Sequence, residues 1–177
     1  MNNKLIFITG GARSGKSRFA LKLADAIEGR KVFLATAEAL DEEMKSRIET
    51  HQKERPSGWD TIEESTQLAK ALIACNGLFD VVLIDCLTVW ISNLLLNGTH
   101  DESYILKEVK QLISSCRSMK GTVLVVANEV GLGIVPANRL ARVFRDTAGK
   151  ANQEMAAVAD DVYLVIAGMS LILKGGV

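Results

Sequence analysis

The sequence predicts an α/β protein in which a mostly parallel sheet is flanked by helices on both faces. Short runs rich in Val, Ile and Leu alternate along the chain with amphipathic stretches, which is typical of such a sheet. The first apolar run, residues 5–8, continues into the phosphate-loop signature G-x-x-x-x-G-K-S at residues 10–17. The 177 residues contain two prolines and no low-complexity stretch, so we expect residues 1–177 to form a single domain.

The first element is a strand at residues 4–9 that ends at the phosphate loop. The backbone conformational freedom of Gly10 and Gly15 lets successive N–H groups converge on phosphate oxygens. The helix that follows adds the positive end of its dipole. Lys16 would reach the β- and γ-phosphates, and the Ser17 hydroxyl would ligate Mg²⁺. A glycine turn alone would need neither side chain. We therefore predict that this loop binds a nucleotide through Gly10, Gly11, Ala12, Arg13, Ser14, Gly15, Lys16 and Ser17.

The second element is a strand at residues 31–36, and a predicted helix at residues 41–55 follows it. In that helix Met44, Ile48 and His51 recur on one side at helical spacing. A histidine beside an apolar stripe is often a packing residue, and it is also a candidate for chemistry near neutral pH. Spacing alone leaves both interpretations of His51 open.

The third strand, residues 80–85, is an apolar run that ends in a carboxylate. Such a strand beside a phosphate loop is typical of a Walker-B strand, so we expect Asp85 to face Mg²⁺ together with Ser17. Ligands in open α/β sheets lie outside the carboxyl ends of the strands, where both residues would be. Asp85 could also cap the next helix, and the two roles are compatible.

The fourth strand, residues 122–127, is followed by a glycine-containing segment at 128–138 that predicts a loop beside the sheet edge. We expect this loop to contact a substrate or a neighbouring subunit. A helix at 138–158 follows. Its apolar stripe comprises Leu140, Phe144, Thr147, Ala151 and Met155. Its polar stripe, either a solvated surface or a helper in phosphate binding, comprises Asn138, Arg142, Arg145, Gly149 and Asn152.

The last two strands cover residues 161–167 and 171–174. Only residues 168–170 separate them, and a turn that short cannot hold a crossover helix. We therefore expect the final strand to pair antiparallel, at the edge of the sheet.

Composition, cysteine spacing and missing motifs argue against several classes of protein. Basic and acidic side chains number 21 each and are interleaved, which argues against a nucleic-acid partner. The apolar start is too short for a signal peptide and runs into the phosphate loop, so we expect a cytoplasmic protein without membrane insertion. Cys75, Cys86 and Cys116 lie in apolar surroundings, which favours buried thiols over disulfides or zinc ligands. Asp85-Cys86-Leu87-Thr88 and residues 127–130 also lack the Asp-x-x-Gly and Asn-Lys-x-Asp motifs of a Ras-type GTPase.

Several segments together resemble the bifunctional adenosylcobinamide kinase and adenosylcobinamide-phosphate guanylyltransferase family of cobalamin biosynthesis. The resemblance spans nearly the whole chain, and its most specific part is the Asn-Glu-Val-Gly-Leu-Gly-Ile-Val-Pro run at 128–136. The other matching segments are 9–17, 35–37, 40–44, 47–48, His51, 55–56, Trp59, Glu63, 85–88, 93–95, 138–142, 144–146 and 152–153. Thr50 stands where some members have a second histidine, and some members have Glu at the position of Asp85.

The resemblance implies a RecA-like P-loop NTPase fold and a homotrimer. It places His51 on the histidine that becomes guanylylated. Together with Lys16 of the phosphate loop, His51 is therefore a candidate catalytic residue. It also implies a further set of nucleotide contacts beyond the phosphate loop. These are Thr36, Ala37, Glu38, Gln52, Lys53, Glu54, Arg55, Glu63 and Asp85.

The implied function has two reactions. ATP or GTP phosphorylates the hydroxyl of adenosylcobinamide, and His51 then takes GMP from GTP and passes it to adenosylcobinamide-phosphate, giving adenosylcobinamide-GDP. Mg²⁺ is the expected cofactor. A monofunctional P-loop kinase for another small hydroxyl compound remains an alternative and would need no His51. A non-enzymatic, nucleotide-gated assembly module is a second alternative.

Overall fold

The computed structural model describes residues 3–39, 42, 45, 46, 48, 52, 56–98 and 101–176. The strands are β1 Lys4–Gly10, β2 Lys31–Ala35, β3 Asp60–Glu63, β4 Val81–Asp85, β5 Thr122–Asn128, β6 Asp161–Ile166 and β7 Met169–Lys174. The helices with defined bounds are α1 Lys16–Asp25, α2 Leu68–Cys75, α3 Leu87–Leu96, α4 Glu102–Ser118 and α5 Arg139–Val158. Glu42, Lys45, Ser46, Ile48 and Gln52 are also helical, as predicted for residues 41–55.

All seven strands form one sheet in the order β3-β2-β4-β5-β1-β6-β7. Neighbouring strands pair in parallel from β3 to β6, whereas β6 and β7 pair antiparallel. The predicted α/β class and the antiparallel last strand are confirmed. Strand β1, which leads into the phosphate loop, and strand β4, which ends at Asp85, are not adjacent in the sheet. Strand β5 lies between them.

Two apolar clusters cover the faces of the sheet. Alternation along β1 sends Leu5 and Phe7 into one cluster and Ile6 and Ile8 into the other, since successive side chains of a strand point to opposite faces. The larger cluster includes apolar residues of α2, α3, α4 and α5, and the smaller one includes apolar residues of α1. Both faces are therefore buried, which explains why the central strands are apolar throughout.

The sequence pattern did not predict β3. Of its four residues only Ile62 is partly buried, and the other three are exposed, so the strand has neither an apolar run nor a clear alternation. It forms because its backbone pairs in parallel with β2 at the edge of the sheet. This short strand is important for the site because it ends at Glu63.

Helix α5 differs from its predicted faces at two positions. Leu140, placed on the apolar stripe, is 50% exposed, whereas Asn152, placed on the polar stripe, is buried. Asn152 is buried because its Nδ2 donates a hydrogen bond at 3.2 Å to the carbonyl of Asn128 at the end of β5. The helix begins at Arg139 because the Asn138 side chain accepts hydrogen bonds from the N–H groups of the first turn.

Candidate active site

The phosphate loop leaves β1 at Gly10, where there is no room for a side chain. A Cβ atom there would lie 2.4 Å from the carbonyl oxygen of Val165 and 2.7 Å from Ser14 Oγ. The later part of the loop contacts the β6–β7 turn, because Gly168 N–H donates to the Ser14 carbonyl at 2.8 Å. The loop is therefore supported by β6 and the turn that follows it.

The loop closes onto the N-terminus of α1. Gly15 has φ 94°, a left-handed conformation that favours glycine, and Arg13 also has a positive φ of 56°. Helix α1 begins at Lys16, which is 7% exposed, and its Nζ donates to the Gly11 carbonyl at 2.8 Å. Backbone N–H groups, a helix N-terminus and a buried ammonium group thus converge at one end of the sheet, which is the arrangement that binds phosphate.

Asp85 ends β4 at the same carboxyl edge of the sheet. Its carbonyl accepts a hydrogen bond from Thr36 N–H at 3.2 Å, and the Thr36 hydroxyl bonds both the N–H and the carbonyl of Cys86, at 2.8 and 2.9 Å. Thr36 therefore joins the end of β2 to the end of β4. The carboxylate of Asp85 and the Ser17 hydroxyl are each partly exposed at this edge.

Ser17 and Asp85 suit Mg²⁺ better than a metal held by protein ligands alone. Within the described ranges no three His, Cys, Asp or Glu side chains form a metal cluster. Mg²⁺ commonly takes one or two protein oxygens and completes its octahedron with water and substrate phosphates. One hydroxyl and one carboxylate beside a phosphate loop fit that pattern.

A second concave site lies where β2 and β3 end. It is a cavity of about 520 Å³, within the size range of small-molecule sites. Its lining residues are Ala35, Ala37, Glu38, Ala39, Lys45, Ile48, Gln52, Glu63, Glu64 and Ser65. Four predicted nucleotide contacts are therefore brought together here, namely Ala37, Glu38, Gln52 and Glu63. Gln52 Nε2 donates to Glu63 Oε1 at 3.4 Å, so these two side chains face each other.

Buried hydrogen bonds hold the walls of this cavity. Asn93 on α3, only 5% exposed, donates from Nδ2 to the carbonyls of Thr36 at 2.8 Å and Ser65 at 3.1 Å. Trp90, one turn earlier, is fully buried and donates from Nε1 to the Thr66 carbonyl at 2.7 Å. Helix α3 therefore joins the segment after β2 to the segment after β3. The sequence alone assigned no role to Trp90, because no local pattern connects its indole to the distant Thr66 carbonyl.

Glu64 stabilises the turn that leads into α2. Its carboxylate accepts hydrogen bonds from the N–H groups of Thr66 at 2.8 Å and Gln67 at 2.7 Å, and from the Thr66 hydroxyl. Burial would raise the pKa of Glu64, but these hydrogen bonds to the charged form outweigh burial and lower its pKa. Glu64 is therefore a structural carboxylate in the wall of the cavity.

Four predicted site residues, His51, Lys53, Glu54 and Arg55, lie outside the described residues. Their roles stay predictions. Gln52, which follows His51 directly in the sequence, lines the cavity described above.

The three cysteines are free and buried, as predicted. Burial raises the pKa of Cys86 to about 12, and the nearby Asp85 charge adds to the effect. Burial also raises the pKa of Cys116 to about 12 and raises that of Cys75. Because the thiolate is the reactive form, none of these thiols is suited to nucleophilic chemistry.

Two predicted helper arginines are engaged elsewhere. Arg142 donates to the carbonyls of Pro136 at 2.9 Å and Ala137 at 2.6 Å, so it holds the end of the 128–138 loop. Arg145 forms an ion pair with Asp146 at 3.2 Å. The loop itself rises from β5, the middle strand, and not from the edge of the sheet.

Comparison with known proteins finds matches over nearly the whole chain. The family model described as cobinamide kinase / cobinamide phosphate guanyltransferase matches residues 6–173. The chain is 43% identical over 182 residues to the bifunctional adenosylcobalamin biosynthesis protein CobU of Salmonella typhimurium and 41% identical over 181 residues to that of Escherichia coli. It is 41% identical over 169 residues to the bifunctional adenosylcobalamin biosynthesis protein CobP of Pseudomonas aeruginosa.

These alignments cover 96%, 96% and 95% of this chain and 99%, 99% and 96% of the respective relatives. Among the helices that the structure describes, none has the length and apolar character needed to span a membrane. The chain therefore belongs to the cobinamide kinase / cobinamide phosphate guanyltransferase family of enzymes.

Proposed function

We propose that the protein catalyses two successive reactions of cobalamin biosynthesis. It phosphorylates adenosylcobinamide with ATP or GTP, and it then transfers GMP from GTP to adenosylcobinamide-phosphate to give adenosylcobinamide-GDP. The observation that supports both halves is the pair of sites at the carboxyl ends of the strands, the phosphate loop at the end of β1 and the cavity at the ends of β2 and β3. Three interstrand spacings separate β1 from β2, a distance of about 14 Å.

In the kinase step the work of the protein is positioning and charge stabilisation. Lys16, which donates to the Gly11 carbonyl in the structure, would turn its ammonium group to the β- and γ-phosphates of the bound nucleotide. The loop amides and the N-terminus of α1 would hold the remaining phosphate oxygens. We infer that Ser17 and Asp85 hold Mg²⁺, which when bound would neutralise phosphate charge.

In the transferase step His51 would act as the nucleophile. A neutral ring nitrogen attacks the α-phosphorus of GTP, a P–N bond forms, and pyrophosphate leaves with the electrons of the broken P–O bond. A phosphate oxygen of adenosylcobinamide-phosphate then attacks the same phosphorus and breaks the P–N bond. Carboxylates such as Glu38 and Glu63 are suited to accept hydrogen bonds from the N1–H and amino groups of guanine.

The proposed contacts extend over both sites. Beyond the phosphate loop they comprise Thr36, Ala37, Glu38, Gln52, Lys53, Glu54, Arg55, Glu63 and Asp85. Of the described members of this set, Ala37, Glu38, Gln52 and Glu63 line the cavity, while Thr36 bonds the backbone on either side of the Asp85–Cys86 peptide. This clustering supports the assignment.

One incubation tests the whole proposal. The purified protein is mixed with adenosylcobinamide, Mg²⁺ and GTP or ATP, and the products and any GMP-bearing peptide are identified by mass spectrometry. We expect phosphorylated cobinamide with a suitable donor, and with GTP we also expect adenosylcobinamide-GDP and a GMP-bearing peptide that contains His51. Phosphorylation without a GMP adduct would identify a monofunctional kinase, and nucleotide binding without any product would contradict the proposal.

Two variants separate the half-reactions. His51→Ala should abolish labelling of the protein by α-phosphate-labelled GTP while γ-phosphoryl transfer continues. His100→Ala is the matched control, because the chain has only two histidines. Lys16→Ala should impair phosphorylation of cobinamide, with Lys110→Ala, an exposed lysine of α4, as its control. An acid-labile GMP adduct on the His51→Ala protein would refute the assignment of the nucleophile.

We also infer that the protein acts as a homotrimer in the cytoplasm. The antiparallel edge strand β7 supports assembly, because an exposed apolar edge strand normally pairs or becomes covered. Met169, Leu171, Ile172 and Leu173 are each more than 50% exposed in the isolated chain. Sedimentation analysis of the purified protein measures the oligomeric state directly.

A further inference from the structure

We propose that Glu129 is a catalytic residue of the kinase step, where its carboxylate accepts the proton of the acceptor hydroxyl. The inference rests on the proposed function and adds a residue to it. Glu129 is the first residue after β5 and lies in the 128–136 run that contributes to the family resemblance, but that resemblance assigns it no role. Its place in the sheet does.

The strand order puts Glu129 between the two predicted phosphate-handling elements. Strand β5 is the middle strand and pairs with β1 on one side and β4 on the other. In register, Asn128 lies opposite Gly10, the first residue of the phosphate loop, and Val126 lies opposite Asp85. Glu129 N–H donates to the Gly10 carbonyl at 2.9 Å, so its backbone is bonded directly to the start of that loop.

The backbone just before Glu129 is held rigidly. Asn128 N–H donates to the Thr88 hydroxyl at 2.7 Å, and the Asn128 carbonyl accepts from Asn152 Nδ2 at 3.2 Å. Thr88 and Asn152 are both buried. Helices α3 and α5 therefore fix the end of β5 from outside the sheet, and the position of the next Cα follows from that. A carboxylate on such a support is positioned more precisely than one on a free loop.

The Glu129 carboxylate retains capacity to accept a proton or a hydrogen bond. In the part of the chain that the structure describes, it accepts one hydrogen bond, a long one of 3.3 Å from Gly131 N–H. A carboxylate has about four acceptor positions. Its side chain is partly exposed, so a substrate hydroxyl can reach it.

An apolar surface suited to a large acceptor begins three residues further on. Leu132, Ile134 and Val135 are 86%, 95% and 61% exposed. Exposed apolar side chains grouped in this way are typical of an interaction surface, and a bulky, largely apolar substrate such as a corrinoid would cover them. Glu129 is thus bonded through its backbone to the start of the phosphate loop and precedes, by three residues, the surface where the acceptor would bind, so its carboxylate is a candidate to meet the acceptor hydroxyl near the γ-phosphate.

The proposed step is a simple substitution at phosphorus. The hydroxyl oxygen of the acceptor forms a bond to the γ-phosphorus, and the bond from that phosphorus to the β,γ-bridging oxygen breaks. The nucleoside diphosphate leaves with the electron pair, and the hydroxyl proton passes to the Glu129 carboxylate and then to water. The alternatives nearby are less suited, because Lys16 has only donors while charged and Cys86 is a buried thiol with a pKa of about 12.

The test compares Glu129→Gln and Glu129→Asp with the wild-type protein. Glu154→Gln on α5 is the matched control, since it removes the same charge from a residue paired with Lys110 away from the loop. Four quantities are measured: the rate of adenosylcobinamide phosphorylation, nucleotide affinity, labelling by α-phosphate-labelled GTP, and the Mg²⁺ concentration that gives half of the maximal rate.

We expect Glu129→Gln to lower kcat for phosphorylation by about 100-fold or more, the usual contribution of a general base. Nucleotide affinity, GMP labelling and the Mg²⁺ requirement should stay unchanged, Glu129→Asp should keep part of the rate, and Glu154→Gln should behave as wild type.

Three results would overturn the inference. Phosphorylation by Glu129→Gln at close to the wild-type rate would show that no proton acceptor is needed there. A raised Mg²⁺ requirement would place the carboxylate on the metal instead, and parallel losses of affinity and GMP labelling would indicate a structural role. A wild-type protein without kinase activity would refute the proposed function itself. That failure is distinguishable from failure of the Glu129 inference, because the variants are compared only with a wild-type protein that is active.

Discussion

The hydrogen bonds of Asn93 provide a quantitative test of how the cavity is held together. Asn93→Ala removes one amide that donates to two carbonyls, those of Thr36 at 2.8 Å and Ser65 at 3.1 Å, at a position that is only 5% exposed. Each lost bond costs about 1 kcal/mol, and up to about 3 kcal/mol where the carbonyl is left buried without a partner. We therefore expect the free energy of unfolding to fall by about 2–4 kcal/mol.

For a chain of this length that loss corresponds to a Tm lower by roughly 5–15 °C. Thermal unfolding followed by circular dichroism measures it, with Asn97→Ala as the matched control because Asn97 is exposed at the end of the same helix. The KM for GTP in protein labelling should also rise, because Thr36 and Ser65 flank the cavity. If Asn93→Ala and Asn97→Ala unfold at the same temperature, the two hydrogen bonds do not hold the walls and the reasoning fails.

Three further perturbations test other parts of the structure. Gly10→Ala places a Cβ atom 2.4 Å from the Val165 carbonyl oxygen, so it should lower the free energy of unfolding by about 1–3 kcal/mol and weaken nucleotide binding. Gly149→Ala, whose Cβ would have nothing within 4 Å, should leave nucleotide binding unchanged and stabilise the protein slightly. Equal Tm values for the two variants would refute this reasoning. Because the pKa of Glu64 is lowered in the folded state, its contribution is present above the unfolded value of about 4.3 and is lost as pH falls through the lower folded pKa, so the stability difference between wild type and Glu64→Gln should vanish in acid titrations of unfolding. Leu171→Lys on β7 should shift the sedimentation coefficient towards the monomer while circular dichroism stays native, and an unchanged assembly would exclude this strand from the interface.

The parts of the site that were predictable are those built from neighbouring residues. The phosphate loop follows from residues 10–17 because a tight turn, a lysine and a hydroxyl are consecutive there, and the structure confirms the strand before it and the helix after it. The position of Asp85 at the end of β4 was predictable for the same reason, since an apolar strand and its terminal carboxylate are contiguous, while its role as a metal ligand stays a prediction. The final antiparallel strand followed from the length of one turn.

Other features depended on pairing between distant residues. Strand β3 could not be predicted, because an exposed edge strand has no apolar pattern and is defined by its bonds to β2. Asn152 belongs to a polar stripe in the sequence but is buried, because its partner is the carbonyl of Asn128 at the end of β5. A helical period describes one helix and contains no information about such partners.

Residue order along the chain was sufficient to predict the fold class, the strand and the helix on either side of residues 10–17, and the family, since each rests on residue types at short, fixed spacings. It could not establish that β5 lies between β1 and β4, and so it could not single out Glu129, whose N–H bonds the first residue of the loop from more than a hundred residues away. Strand order results from the burial of both faces of a whole sheet, a cooperative effect of long-range contacts that no short segment contains.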